Sequence, residues 1–86
     1  MTFTYTPRGV CSSRMELEIE DGRILSLKVR DGCSGNLQGL SHLVEGMLVE
    51  DVIARLDGIR CGRKQTSCPD QLAQALKAYQ ESQKSA

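Results

Sequence analysis

Residues 14–30, "RMELEIEDGRILSLKVR", constrain this chain more than any other stretch. Met15, Leu17 and Ile19 alternate with Glu16, Glu18 and Glu20, and after Asp21-Gly22 the run "ILSLKV" alternates again. A period of two belongs to a strand with one dry and one wet face, not to a helix. The expected dry face holds Leu25, Leu27 and Val29, and the wet face Ser26, Lys28 and Arg30. A two-residue Asp21-Gly22 turn with an unbroken ladder would set Leu17 against Ser26 and Glu16 against Leu27. Apolar side chains would then oppose polar ones on one face, which burial forbids. The expected closure is therefore a three-residue loop, Glu20-Asp21-Gly22, with Gly22 left-handed. It pairs Leu17 with Leu25 and Met15 with Leu27, and a shift by two residues keeps the same faces.

A hairpin with one apolar face must be covered, and the rest of the chain supplies the cover. "TFTYT" suits a first strand, ended by Pro7 and the turn-prone Arg8-Gly9. Beyond the hairpin, Ser34 or Asn36 can cap a helix whose stripe is Leu37, Leu40, Leu43 and Val44, stopped by Gly46. Val49, Val52, Ile53 and Leu56 mark a second helix, with Glu50 and Asp51 in its first turn and Gly58 after it. "IRCGRKQTS" reads as polar loop. A last helix is expected to start with Pro69 at its first position and Asp70 beside the positive dipole end. It buries Leu72, Ala75, Leu76 and Tyr79, and "ESQKSA" should fray. Strands first and helices after imply an α+β fold, a small antiparallel three-stranded sheet followed by three helices packed on one face.

Eighty-six residues allow one domain, 1–86, with an ordered core of about residues 2–80. One Phe, two Tyr and no Trp make that core modest. A chain of this size is where metals, disulfides or a partner subunit are recruited, so a homodimer is compatible with the composition. Eleven basic residues balance eleven acidic ones, which leaves no electrostatic footprint for nucleic acid or an anionic membrane. No apolar run reaches transmembrane length and the start lacks a signal-type apolar segment, so the expected compartment is cytoplasmic. Thiols there stay reduced, and clustered cysteines are more often metal-binding or catalytic than disulfide-bonded.

The four cysteines are Cys11, Cys33, Cys61 and Cys68. Continued outward, the expected hairpin register sets Cys11 opposite about Asp31, two residues from Cys33, so two thiols meet at one hairpin end. Cys33 falls at a strand-to-helix turn and Cys68 at the N-cap of the last helix, where free N–H groups and the dipole favour negative charge. Gly32, Gly35 and Gly62 would let backbone approach a group of sulfurs. A closed tetrahedral four-thiolate site is the resulting expectation. The spacing lacks a C-x-x-C knuckle, and C-x6-C is no zinc-ribbon signature, so the spatial argument carries it. A redox pair of Cys61 with Cys68, or four unrelated cysteines, stays open on the residues alone. His42 lies off its helix stripe and reads as solvent-facing, and the Glu16, Glu18, Glu20 row as a solvated sheet face. Ser12 and Ser67 have no histidine–carboxylate partners within sequence reach. "GCSGN" lacks the lysine and the length of a P-loop.

"GVCSS", "DGCSGN", "GIRCG" and above all "TSCPDQLAQAL" resemble the TSCPD domain in its small four-cysteine form, over roughly residues 3 to 80. Relatives of that family form a C-terminal domain of adenosylcobalamin-dependent ribonucleotide reductases. The resemblance thus implies a ribonucleotide reductase label and partner, or a nucleotide-binding regulatory role. It does not imply autonomous catalysis, because this chain has no space for the barrel that reaction needs. The chain is more distantly similar to the iron–sulfur scaffolds of the NifU N-terminal, IscU-like fold. Cys11, Cys33 and Cys68 fall where the scaffold's three cysteines fall. Ser13 stands where the scaffold has an aspartate, Ser67 where it has a histidine, and Cys61 is extra. A fourth thiolate in place of labile ligands argues for a retained zinc ion, slightly favoured, or an iron–sulfur cluster, and against cluster transfer. The expected function is a metal-binding accessory to ribonucleotide reduction or metal-cofactor metabolism. The alternative is a thiol–disulfide protein delivering electrons to a reductase.

Overall fold

A computed structural model describes residues 1–7, 9, 13–30, 34–60, 62 and 66–84, with backbone alone at 34–36 and 84. Three strands, β1 (Thr2–Tyr5), β2 (Arg14–Glu20) and β3 (Arg23–Arg30), precede three helices, α1 (Ser34–Val44), α2 (Val49–Leu56) and α3 (Cys68–Lys84). The strands form one antiparallel sheet in the order β1-β2-β3. The α+β class and the element order are those the hydrophobic periods demand.

The hairpin closes differently from the expectation. Glu20 pairs with Arg23 and Ile19 with Ile24, so the turn has two residues. Asp21 (φ 51°) and Gly22 (φ 75°) both take positive φ, the type I′ geometry that matches the twist of a hairpin. The register then shifts, because Glu18 pairs with Ser26 and leaves Leu25 unopposed. This β-bulge reconciles what an unbroken ladder could not. Beyond it Leu17 faces Leu27 and Met15 faces Val29, apolar against apolar. The expected faces hold from Leu27 onward, at a shift of two residues. Before the bulge they do not: Ile24 is fully buried and Leu25 is 50% exposed.

The dry face of the sheet is covered by the helices. Met15, Leu17 and Ile19 of β2 and Ile24 and Leu27 of β3 join Val44 of α1, Val49 and Val52 of α2, and Leu72, Ala75 and Leu76 of α3 in one core. Phe3 of β1 packs edge-on against Tyr79 of α3, ring centroids 5.8 Å apart, a favourable arrangement of two quadrupoles. The opposite face carries Thr2, Thr4, Glu16, Glu18, Ser26 and Lys28 into solvent.

Two helices depart in detail from their patterns. In α1, Leu37 and Val44 are buried and Leu40 half-buried, but Leu43 stands 75% exposed. Its position is one residue off the stripe, and the sheet covers α1 too narrowly to include it. In α3 the helix runs through Lys84 rather than fraying from Glu81. Ser82 Oγ donates to the Tyr79 carbonyl (2.8 Å), and Gln83 Nε2 donates to Met1 Sδ (3.2 Å), so the last turns are tied to the chain.

Candidate cysteine site at the start of the third helix

The first turn of α3 is organised by its preceding residues, "TSCPDQ". Ser67 is the N-cap. The Asp70 N–H donates to Ser67 Oγ at 3.2 Å, and the Gln71 N–H donates to the Ser67 carbonyl at 2.8 Å, the first intrahelical bond. Cys68 is thus the first helical residue and Pro69 the second, one place later than the sequence pattern suggested. Proline costs nothing there, because the first N–H groups of a helix have no intrahelical partner. The hydroxyl of Ser67 also donates to the Ile59 carbonyl at 2.6 Å. One side chain therefore starts the helix and pins the loop that leads away from α2.

Asp70 does the larger share of the pinning. The residue is 7% exposed, and its two carboxylate oxygens hold two different segments. Oδ1 accepts the backbone N–H of Gly58 at 2.7 Å and the amide of Gln74 at 3.3 Å. Oδ2 accepts the hydroxyl of Thr66, which in turn accepts from Gln71 Nε2 at 2.9 Å. Burial pushes the Asp70 carboxyl up, but the bonds from Thr66, Gly58 and Gln74 and the nearby Lys77 charge outweigh it, and the net shift is downward. The charged form is the one the site is built for.

Of the four predicted ligands, Cys68 lies among the described residues, half-buried at the head of α3. Cys11, Cys33 and Cys61 lie outside the described residues, and so does the expected meeting of Cys11 with Cys33. Gly32 lies outside them too. Among the described residues there is no group of three or more His, Cys, Asp or Glu that could hold a metal ion. His42 is exposed, as its place off the stripe implied. Ser67 is a helix cap.

The segments that flank the cysteines do come together. Arg14 pairs with Arg30, and the Ser13 N–H donates to the Arg30 carbonyl at 2.9 Å, so the β2–β3 ladder reaches this end of the sheet. Gly9, at φ 73°, packs so closely on Thr66 that a β-carbon there would lie 3.1 Å from Thr66 Cγ2. Its glycine character allows both the left-handed backbone and the approach. The chain just before β2 thereby touches the chain just before α3.

The sequence pattern missed the network of Thr66, Ser67 and Asp70. Its signal was present: serine, then an acid three residues on, ahead of an apolar run, is a capping spacing. Nothing local, however, marks Gly58 as the partner of a residue twelve positions away.

The model of the TSCPD domain family matches residues 1–80. The chain belongs to the TSCPD domain family. The network just described occupies the residues that spell the family's name, Thr66 to Asp70. No curated protein matches the chain, and no solved structure does. No helix among the described residues is long and apolar enough to cross a membrane.

Proposed function

We propose that this TSCPD domain is a metal-binding module in which Cys11, Cys33, Cys61 and Cys68 hold zinc or an iron–sulfur centre. The supporting observation is the convergence of the cysteine-flanking segments on one end of the fold. Cys11 precedes Arg14 by three residues and Cys33 follows Arg30 by three, and Arg14 and Arg30 are paired. Equal offsets from a paired position would face each other if an antiparallel ladder continued. Gly9, two residues before Cys11, packs on Thr66, two residues before Cys68. Ile59, two residues before Cys61, is bonded to Ser67, the neighbour of Cys68. Two residues of chain span at most about 7 Å.

The donor set fits such a group. Four thiolates make a closed tetrahedral site for zinc, or the ligand set of an iron–sulfur cluster. Ser67, at the position of the scaffold proteins' histidine, is committed to the cap and to Ile59, which leaves Cys61 to complete the set. A closed site retains its ion rather than offering an open position for chemistry. The role that follows is an accessory or interaction protein, and the resemblance to reductase-associated domains points to ribonucleotide reduction or metal-cofactor metabolism, with a reductase as partner.

Elemental analysis and visible absorbance of anaerobically purified protein test this reading. One zinc per chain, or iron and sulfide with a brown colour, is expected, and chelation should unfold the chain because binding contributes folding energy directly. Protein free of both metals, with thiols that cycle reversibly to a disulfide, would overturn it in favour of a redox role.

A further inference from the structure

We infer that β1 is a dimer interface, pairing antiparallel with β1 of a second copy of this chain about a twofold axis at Thr4. β1 lies at one edge of the sheet and pairs, among the described residues, with β2 alone. Bonding along that side determines which backbone groups are left over. Met1 and Ile19 exchange two hydrogen bonds: the Met1 amino group donates to the Ile19 carbonyl at 3.0 Å, and the Ile19 N–H donates to the Met1 carbonyl at 2.9 Å. Exchanging and non-exchanging pairs alternate along an antiparallel ladder. Phe3, opposite Leu17, and Tyr5, opposite Met15, therefore turn their N–H and carbonyl groups toward β2. Thr2 and Thr4, opposite Glu18 and Glu16, turn theirs outward, where no other described strand lies.

Residues 2–6, "TFTYT", select the occupant. The run is a palindrome of residue class about Thr4: threonine, aromatic, threonine, aromatic, threonine. A twofold contact must be complementary to itself, and antiparallel pairing on this centre meets that demand along the whole run. Thr4 opposes the second copy's Thr4, Thr2 its Thr6, and Phe3 its Tyr5. The outward-bonding threonines then form the hydrogen-bonded pairs. The aromatics fall at the closer, non-hydrogen-bonded positions, where cross-strand side chains interact most. A twofold at Phe3 would keep the same parity but leave Tyr5 with no aromatic opposite it. Burial agrees with this arrangement. Phe3 and Tyr5 are half-buried and packed against the core, and Phe3 already meets Tyr79 edge-on, so pairing extends the core from one copy into the next. Thr2 and Thr4 are exposed on the wet face. Residues 2–6 carry no charged side chain, so the axis sets no like charges against each other. A domain this small gains from apolar area that a second subunit covers.

Sedimentation equilibrium of the full-length chain, purified anaerobically, tests the inference. Wild type should approach twice the chain mass as concentration rises. Thr4→Pro removes an N–H that β2 does not use, and proline is tolerated on that side of an edge strand. It cancels both bonds of the central pair and should raise the dimer Kd about 10- to 100-fold. Thr4→Lys and Thr4→Glu change an exposed side chain and set like charges opposite each other at the axis. Each should weaken its homodimer several-fold, and less so at high salt. Mixed together, these two variants should form a heterodimer tighter than either homodimer. Misfolding of either chain would not produce that reversal, so the mixture also covers the case in which Thr4→Pro does not fold. Isotope-filtered NMR of mixed labelled and unlabelled wild type should show contacts between copies from the Phe3 ring to the Tyr5 ring. A wild-type chain that stays monomeric at millimolar concentration would overturn the inference. So would a dimer whose Kd is the same in all three Thr4 variants, because its interface would then lie elsewhere on the chain.

Discussion

Ser67→Ala should be among the most damaging of the small polar-to-alanine changes in this chain. Two interactions go with the hydroxyl: the cap on the Asp70 N–H at 3.2 Å and the donation to the Ile59 carbonyl at 2.6 Å. Loss of a serine cap costs about 1 kcal/mol in typical hosts. Loss of a partly buried hydrogen bond costs about 1 kcal/mol more. Ser67 is 6% exposed, so water cannot readily replace either partner. The sum is about 2 kcal/mol, which for a domain of this size corresponds to a fall in Tm of about 8–16 °C. Urea unfolding followed by far-UV circular dichroism, with excess zinc in every sample, measures it. Ser82→Ala is the matched control, since Ser82 Oγ donates one exposed bond of 2.8 Å to the Tyr79 carbonyl. It should stay within about 0.5 kcal/mol of wild type, as exposed changes usually do. If Ser67→Ala also stays within that margin, the double role of Ser67 is refuted.

Two further expectations concern the hairpin. Gly22→Ala should cost about 1–2 kcal/mol, measured by the same denaturation, because φ is 75° there and a β-carbon would meet nothing within 4 Å, so the whole effect is backbone strain. The Glu18 carboxyl is held below its ordinary value of 4.5 by the Thr2 hydroxyl first and the Met1 amino group second, against a smaller upward push from burial. A lowered native value means that its contribution to stability is complete above about pH 4.5 and is lost as pH falls through the native value. NMR titration of Glu18 in Thr2→Val should show the depression reduced, and an unchanged titration would contradict the assignment.

Much of this architecture was legible because burial writes a period into the chain. Met15, Leu17 and Ile19 declare a strand, and Val49, Val52, Ile53 and Leu56 a helix, whatever surrounds them. Ile24 and Leu25 were misread because a bulge changes the period for one residue, and either leucine or isoleucine suits either face. Leu43 was misread because a stripe's width depends on what covers it, which is a tertiary matter. For the site, Cys68 at a helix start was readable from Pro69 and Asp70, whereas the cap belongs to Ser67 by the hydrogen bond it accepts. The partnership of Asp70 with Gly58 was not readable at all, since it depends on how α2 and α3 lie together.

The bulge has a consequence beyond the hairpin's own register. A strand at the rim of a sheet offers its unpaired backbone to any passing extended chain, and so can seed intermolecular sheet growth. On the rim of β3, Ile24 exchanges hydrogen bonds with the 46–47 segment: its N–H donates to Met47 and its carbonyl accepts from Gly46. Where that cover stops, the rim meets the unopposed Leu25, and Lys28 and Arg30 follow it. A foreign strand would have to follow a kink and then approach two like charges. The irregularity that lets a type I′ turn coexist with a dry face thus also makes the β3 rim a poor template for aggregation.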